Sequence, residues 1–314
     1  MLVCMTSAIA GLKAYMTGMN VVGNNISNVN TNSFKSSSST FRDVMYQDIN
    51  GGSAGSDNAA GINPSQIGYG SAASSVDVDF TKGGMNTTGN ANDVYIDGDG
   101  FFIVGDGAKT SVTADPVTGK KFDPAATVTD SFNGLKYTRI GTLKFDSNGY
   151  LTDGAGNYVC GYVNTTANMG TPAVYGKTLQ AIRQPTTTSK DDPPVTTVDA
   201  IDNLAIAADG TITCNDGGTS KTLGRIELAK FTNNNGLQQI GNGYYKPTDN
   251  AGTITVTAPN GGGTGNLRTG ALENSNVDLA TEFSNMITFE RAYQANTKIV
   301  SVADEMLQTL VNMK

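Results

Sequence analysis

The first residues of the chain carry apolar side chains at the spacing of an α-helix. Over residues 2 to 27 they recur at alternating steps of four and three, with one position skipped at Gly23, which is a heptad pattern. This first stripe consists of Met5, Ile9, Leu12, Met16, Met19 and Ile26. A second stripe recurs every seven residues at Ala8, Tyr15, Val22 and Val29. Lys13 is the only charged residue before Lys35, so the predicted helix offers little charge to water and needs cover on more than one side.

The last residues of the chain repeat this arrangement. A first stripe consists of Leu279, Phe283, Met286, Tyr293, Val300, Leu307 and Leu310. A second stripe, displaced around the helix, consists of Ile287, Ala295, Ile299, Val302, Met306 and Met313. Asn276 or Asp278 is the expected N-cap, and Glu282 lies near the positive end of the helix dipole. We therefore predict a second helix that also has two apolar faces.

Between the two ends the apolar period changes from about 3.6 to 2, as in residues 76–80 and 226–228, which is typical of strands. Asn-Gly and Asp-Gly pairs separate these runs and favour tight hairpin turns. The fold class predicted is α+β and multi-domain, with discontinuous terminal helices forming a coiled-coil-like domain beside a compact antiparallel β-rich domain.

Domain boundaries follow from the changes of pattern. Residues 1–34 with 273–314 are the expected helical assembly domain, and the Gly-, Ser- and Asn-rich residues 35–66 are expected to be a linker. Residues 67–163 with 202–272 form the expected β-rich outer domain. Residues 164–201, which hold several prolines and little periodicity, are predicted to be a short excursion, and 105–133 a second one.

Composition excludes several functions. The chain has 314 residues, a net charge of −7 and no long basic run, so it lacks the positively charged surface that binding to nucleic acid requires. It has no histidine, which removes the commonest general base and metal ligand. Cys4, Cys160 and Cys214 are far apart in sequence and odd in number, which indicates small buried hydrophobes, with a Cys160–Cys214 bridge as the competing interpretation.

Candidate sites for chemistry are weak. Asp93, Asp97 and Asp99 precede Gly100 as in a calcium loop, but Ala108 stands where the twelfth-position Glu is needed, so two tight turns are favoured. Asp77 and Asp79 could pair as glycosidase carboxylates, but their alternation with apolar residues puts both on one solvated strand face. The glycine run at 261–265 lacks the lysine of a phosphate loop. We expect no enzyme activity, no cofactor and no metal.

The two apolar faces of each terminal helix indicate assembly. An intramolecular helical hairpin would cover only one face of each helix, so the second faces predict contacts between different surfaces of successive copies, which generate a filament or tube. Ordering about 25 residues costs more backbone entropy than one buried stripe returns. We therefore expect the ends to be disordered in the monomer and to fold on assembly. No cleaved signal peptide and no membrane span is expected, so secretion would need a dedicated export route.

Residues 24–35, read as NNISNVNTNSFK, resemble the amino-terminal signature of the bacterial flagellar rod and hook proteins, with Ser33 where that family commonly has glycine. Residues 270–279, GALENSNVDL, and 291–296, RAYQAN, resemble its carboxyl-terminal signature. The signature residues are Asn24, Asn25, Asn28, Thr31, Phe34, Lys35, Asn276, Val277, Arg291 and Tyr293. Interior segments at 63–68, 97–102 and 231–237 also match, and segments at 79–83 and 223–231 look more like the hook protein than the distal rod protein.

The resemblance implies a structural subunit of the flagellar hook, a bendable tube that transmits torque from rod to filament and encloses the export channel. The implied partners are further copies of the chain, the distal rod, the hook–filament junction proteins, a hook cap and the type III export apparatus, with no nucleic acid and no membrane insertion. The implied location is extracellular, without signal cleavage. The absence of a large outer domain at 164–201 keeps the distal rod as the alternative. A secreted β-rich adhesin and a carboxylate-dependent hydrolase are the alternatives of other classes.

Overall fold

A computed structural model of the chain describes residues 2–52, 54–55, 60–105, 112–113, 135–164, 175–184, 186–188, 196–198, 202–216 and 219–313. The chain divides into two compact units, each built from discontinuous segments. Unit 1 consists of Met1–Asn30, Lys35–Phe80 and Val277–Lys314, and unit 2 of Thr31–Phe34 and Thr81–Asn276.

Unit 1 contains the two long helices, α1 (Leu2–Ser27) and α2 (Leu279–Asn312). The predicted helix over residues 2 to 27 therefore has the bounds that its heptad spacing indicates. Of the two expected caps for α2, Asp278 is the one used, because its side chain accepts a hydrogen bond from the backbone N–H of Ala280 at 3.1 Å. Among the described residues, no helix combines the length and apolar character that a membrane crossing needs.

The rest of unit 1 is a two-stranded ribbon made from β1 (Ser37–Asp43), β2 (Tyr46–Asn50), β3 (Ser65–Gly68) and β4 (Ser71–Val78). β1 pairs antiparallel with β4, and β2 with β3. Two backbone hydrogen bonds, from Val44 to Gly70 and from Tyr69 to Met45, join the two halves of the ribbon. Residues 35–66 thus contain strands, which differs from the expected linker. Their partners lie further along the chain, from Ser65 for Asn50 to Val78 for Ser37, and local composition carries no sign of such pairing.

Unit 2 is built from antiparallel strands. Their bounds are β5 (Met85–Thr87), β6 (Val94–Asp97), β7 (Phe101–Gly105), β8 (Val112–Thr113), β9 (Lys136–Thr138), β10 (Leu143–Phe145), β11 (Leu151–Asp153), β12 (Tyr158–Asn164), β13 (Tyr175–Ala181), β14 (Thr186–Thr188), β15 (Thr196–Val198), β16 (Asp202–Ile206), β17 (Thr211–Asp216), β18 (Thr219–Ile226), β19 (Leu228–Phe231), β20 (Leu237–Gly241), β21 (Tyr244–Pro247), β22 (Ile254–Thr257), β23 (Asn266–Thr269) and β24 (Ala271–Glu273). Together with α1 and α2 they confirm the predicted α+β fold class.

Most of these strands form one large sheet, whose main path within the described residues runs β16-β17-β18-β12-β7-β9-β21-β20. Further strands join its middle, including β13 beside β12 and β19 beside β7. β13 lies in the segment 164–201 that was expected to be an excursion, so part of that segment belongs to the sheet. The rest of this segment and of the expected excursion 105–133 lies largely outside the described residues.

The core of unit 2 consists of apolar side chains from the centre of this sheet, among them Phe102, Leu151, Ile226 and Leu228, which are essentially inaccessible to solvent. Burial of this apolar surface is the main stabilising contribution to such a fold. Cys160 and Cys214 are buried on β12 and β17, which β18 separates in the sheet, whereas Cys4 on α1 is exposed. The structure thus has no Cys160–Cys214 bridge.

Candidate assembly surface

The two terminal helices of unit 1 pack against each other in antiparallel orientation, and their contacts recur every seven residues. A Cβ atom added at Gly11 would lie 2.9 Å from the side-chain nitrogen of Asn296. One added at Gly18 would lie 3.0 Å from the ring of Phe289. A step of seven residues forward along α1 therefore corresponds to a step of seven residues backward along α2. The two glycines let larger α2 side chains approach the α1 backbone closely.

The next heptad along α1 brings Asn25 to α2. Its amide nitrogen donates to the Glu282 carboxylate at 2.9 Å and to the Ser37 carbonyl at 2.8 Å, and its amide oxygen accepts from the Ser37 N–H at 2.9 Å. Asn25 is fully buried. One signature residue thus connects α1, α2 and the start of β1, and every polar atom of its side chain is used.

Apolar packing completes the seam, which we define as the contact between α1 and α2. Ala8 and Val22 of the second α1 stripe are buried, as is Ala303 of α2. Met286, Tyr293, Val300 and Leu307, all from the first α2 stripe, are half-buried at heptad spacing. The rings of Tyr15, Phe41 and Phe289 form a cluster with centroids 5.8 to 6.2 Å apart.

Not all of the predicted α2 stripes lie at the seam. Leu279, Phe283 and Leu310 were assigned to the first stripe, but all three are exposed. A reason lies in helix length: α2 has 34 residues and α1 has 26, so turns at the ends of α2 have no α1 turn beside them. Phe283 follows Glu282 and points about a quarter of a turn away from the seam.

Most of the exposed large apolar residues of α2 and its C-cap form two patches, and Val311 lies outside both. The first, here called the amino-terminal patch, consists of Leu279, Phe283 and Ile287. The second, the carboxyl-terminal patch, consists of Ile299, Val302, Met306, Leu310 and Met313, and includes most of the predicted second stripe. Twelve residues separate Ile287 from Ile299, which rotates the second patch by about a third of a turn relative to the first. The patches therefore lie on different flanks of α2.

A polar cluster interrupts the apolar surface between the two patches. The Arg291 guanidinium donates to the side-chain oxygen of Gln294 at 3.2 Å, and the Gln294 amide donates to Glu290 at 2.9 Å. Ala295, the remaining residue of the second α2 stripe, is exposed beside this cluster.

On α1, the first stripe lies away from the seam. Ile9 and Met16, seven residues apart, are 39% and 50% exposed. The other four residues of that stripe, Met5, Leu12, Met19 and Ile26, are half-buried. The α1 glycines and Phe41, which shape the seam, were missed in the sequence, although the seven-residue spacing of Gly11 and Gly18 is a signal that could have revealed the close approach.

The remaining signature residues are divided between the units. In unit 1, Lys35 is buried, Val277 is half-buried, and the Asn28 amide donates to the Asn24 carbonyl at 2.9 Å. In unit 2, Asn276 donates to the Thr81 hydroxyl at 3.2 Å. Thr31 and Phe34 close a turn through a backbone hydrogen bond of 3.3 Å. The contacts of these signature residues are therefore mainly with other residues of the same chain.

That turn contains Ser33, which has a φ of 59° and so adopts the left-handed conformation usually taken by glycine. Its hydroxyl donates to the Arg139 carbonyl at 2.9 Å, and its N–H donates to the Glu273 carbonyl at 2.8 Å. Arg139 and Glu273 form a buried ion pair at 3.2 Å. The departure from the family signature at Ser33 is thus accommodated by hydrogen bonds to the backbone carbonyls of the two residues that form this ion pair.

The acidic residues considered for calcium are engaged by other side chains. Asp97 pairs with Lys82 at 3.1 Å and with Arg268 at 2.9 Å, and Asp93 accepts from Thr88 at 2.5 Å. The two salt bridges hold the pKa of the Asp97 carboxyl below its usual range, the hydrogen bond from Lys82 contributing most. Within the described ranges, no three Cys, Asp or Glu side chains converge as a metal site would require.

A helical unit built from both ends of the chain, interrupted in sequence by a β-rich unit, defines the class as a structural protein with paired terminal helices. Residues 268–313 match the family model described as flagellar basal body rod FlgEFG protein C-terminal. The chain is 35% identical to the flagellar basal-body rod protein FlgG of Bacillus subtilis, with 100% of both chains covered. It is 27% identical to the flagellar hook protein FlgE of Escherichia coli, covering 98% of this chain and 99% of the relative. The chain belongs to the flagellar rod and hook axial protein family, as the sequence signatures predict.

Proposed function

We propose that copies of this chain polymerise into a helical tube through the exposed apolar patches of their terminal helices. The observation that carries the proposal is the pair of patches on different flanks of α2, with Phe283 50% and Ile287 57% exposed in one and Leu310 59% exposed in the other. Contiguous exposed apolar surface of this kind marks interaction sites, because its burial is favourable.

The different positions of the two patches favour an open polymer. If the carboxyl-terminal patch of one copy packs on the amino-terminal patch of the next, the copy at each end of the polymer keeps one patch free for a further copy. Such a heterologous contact continues indefinitely unless the rotation between copies closes a ring. The polar cluster of Glu290, Arg291 and Gln294 between the patches would favour one alignment over others, since a misaligned contact would bury polar groups without partners.

Within the family, we propose that the polymer is the flagellar hook, a universal joint enclosing the export channel and transmitting torque from rod to filament. The support is the resemblance of segments 79–83 and 223–231 to the hook protein. The proposed partners are the distal rod, the hook–filament junction proteins, a hook cap and the export apparatus. The proposed location is the extracellular hook, reached without signal cleavage.

The distal rod is the second candidate, and chain length favours it. The chain and the Bacillus subtilis rod protein align over 316 residues with both fully covered, whereas the alignment with the Escherichia coli hook protein extends over 424 residues. This chain therefore lacks sequence that the hook relative has.

Electron microscopy of flagellar basal bodies isolated from cells that express an epitope-tagged copy of this chain distinguishes the two positions. Antibody label on a curved segment outside the outermost ring is the result expected for a hook subunit. Label confined to a straight segment within the rings would contradict the hook assignment and support the distal rod. Absence of label from the whole axial structure would contradict both.

A further inference from the structure

The seam repeats every seven residues, and this repeat alone would permit more than one register between α1 and α2. Gly11 and Gly18 both lack a side chain and so leave room for a large side chain of α2. If α2 slipped by one heptad in one direction, Phe289 would lie against Gly11 instead of Gly18. The contacts of Met286, Tyr293, Val300 and Leu307 would be replaced by equivalent ones, since these residues recur at the same interval. The Phe289 ring would leave Tyr15 and Phe41, so the aromatic cluster opposes the slip together with the polar residues.

Polar residues of the seam do not tolerate such a slip. In the slip that places Phe289 at Gly11, Glu282 moves to Gly18 and its carboxylate is left in an apolar seam. In the opposite slip, Asn296 moves to Gly18 and Phe289 moves to Asn25, which then loses its carboxylate acceptor. Both alternatives bury a polar group without the partner that it has at 2.9 Å in the observed register.

We infer that Asn25 and Glu282 fix the register of the two terminal helices, so that they act as the positioning residues of the helical unit. Asn25 is suited to this because its two hydrogen bonds to the backbone of Ser37 hold its side chain in place from the ribbon. The bond to Glu282 involves a charged acceptor, which strengthens it relative to a neutral pair.

Cysteine cross-linking in the full-length chain measures the register directly. Cys4 precedes Gly11 by one heptad and is exposed, whereas Cys160 and Cys214 are buried. By the seven-residue step of the seam, Ala303→Cys places a thiol opposite Cys4 in the observed register. Asn296→Cys and Leu310→Cys do so in the two slipped registers. Cross-links within one chain are scored on the monomer band under mild oxidation.

In the otherwise native chain, the cross-linking yield of Ala303→Cys should exceed that of Asn296→Cys or Leu310→Cys by about tenfold or more. The reason is that each slipped register buries a polar group without a partner. Adding Asn25→Leu and Glu282→Leu should reduce that preference by about tenfold. A matched control, Asn24→Leu with Glu290→Leu, makes the same replacements at exposed helix positions and should preserve it. Glu282→Gln keeps a side-chain acceptor and should also preserve it.

Two results would overturn the inference. One is an equal cross-linking yield from all three cysteine variants in the otherwise native chain. The other is an unchanged preference for Ala303→Cys in the Asn25→Leu, Glu282→Leu variant. If that variant loses its helical circular dichroism signal, Glu282→Leu alone decides the question: it should lower the preference while Asn25 stays anchored to Ser37, and an unchanged preference there contradicts the inference.

Discussion

At the scale of single residues, Ser33 shows how a departure from a family signature is tolerated. A left-handed conformation costs a non-glycine residue about 1–2 kcal/mol. The hydrogen bond from the Ser33 hydroxyl to the Arg139 carbonyl, at 2.9 Å, offsets part of this conformational energy. Glycine and serine are thus two solutions for the same turn, one without the strain and one with an added bond.

Two substitutions at this position separate the strain from the hydrogen bond. Ser33→Ala keeps the left-handed strain and loses the bond, so it should lower the free energy of unfolding by about 1–2 kcal/mol. Ser33→Gly loses both and should remain within about 1 kcal/mol of the wild type. Urea unfolding followed by tyrosine fluorescence measures both, and a Gly variant less stable than the Ala variant would contradict this account.

Glu227 is a second residue whose environment has a measurable consequence. Its side chain is 1% exposed and pairs with Arg225 at 2.7 Å. Burial raises the pKa of its carboxyl from 4.5 to about 6, although the Arg225 charge acts in the opposite direction. The folded chain therefore holds a proton on Glu227 over a pH range in which the unfolded chain has lost it.

The sign of the pH dependence follows. Between pH 4.5 and about 6 the folded state binds the extra proton, so the contribution of Glu227 to the free energy of unfolding falls as pH rises through this range. The fall is about 2 kcal/mol over the whole titration, of which about 1.5 kcal/mol lies between pH 4.5 and 6.5. Glu227→Gln should lack this component, measured as the difference between denaturant unfolding curves at pH 4.5 and 6.5. Glu290→Gln removes an exposed carboxylate as the control, and a Glu227→Gln variant that keeps the wild-type difference would refute the assignment.

At the scale of elements, the glycines of α1 show what the seam requires. Gly18 faces Phe289 at 3.0 Å and Phe41 at 3.2 Å from an added Cβ, whereas Gly23, in the same helix, meets nothing within 4 Å. The two positions have the same intrinsic preference for alanine, so they differ only in the space beside them.

This contrast gives a matched pair of variants. Gly23→Ala should raise the free energy of unfolding of unit 1 by about 0.5–1 kcal/mol through helix propensity. Gly18→Ala should gain the same propensity but lose about 1–3 kcal/mol by forcing the two aromatic rings away, for a net loss. Thermal unfolding monitored by circular dichroism at 222 nm compares them, and equal stabilisation by both would show that α1 and α2 do not approach as described.

The elements also show how far the sequence predicts the structure. Residues 2 to 27 and the end of the chain reveal their helices because a helix needs only local spacing of apolar residues. The ribbon was missed because Ser38 pairs with Asp77 and Gln47 with Ile67, across an intervening segment rich in Gly, Ser and Asn. Assignment of Phe283 to the seam failed because the sequence does not show which of two adjacent residues faces α1: Glu282 does, through Asn25, and Phe283 is rotated about a quarter of a turn away.

At the scale of the whole molecule, both chain ends contribute to unit 1 while the core of unit 2 comes from residues between them. Among the described residues, the sheet and apolar core of unit 2 include none before Thr31. The expectation that the terminal helices become ordered only on assembly stays a prediction, and so does the dependence of assembly on them.

A truncated chain tests the independence of unit 2. Removal of residues 1–30 should leave the core of unit 2 folded, because the strands of its sheet all remain, while abolishing polymerisation. The near-ultraviolet circular dichroism of the buried tyrosines reports the fold, and sedimentation reports the polymer. Loss of the near-ultraviolet signal would show that unit 2 depends on α1, and polymers formed without residues 1–30 would show that assembly does not.

The central claim is that copies join through two different patches of α2, which a mixing experiment by analytical ultracentrifugation tests most directly. Phe283→Asp should disable the amino-terminal patch and Ile299→Asp the carboxyl-terminal one, because each contact would bury an unpaired charge. Ser284→Asp and Ser301→Asp place the same charge at exposed polar positions and should polymerise as the wild type does. Each patch variant alone should remain monomeric, and an equimolar mixture of the two should stop at dimers, since each variant retains the patch that the other lacks. Polymers formed by either patch variant alone, or a mixture that stays monomeric, would contradict the account.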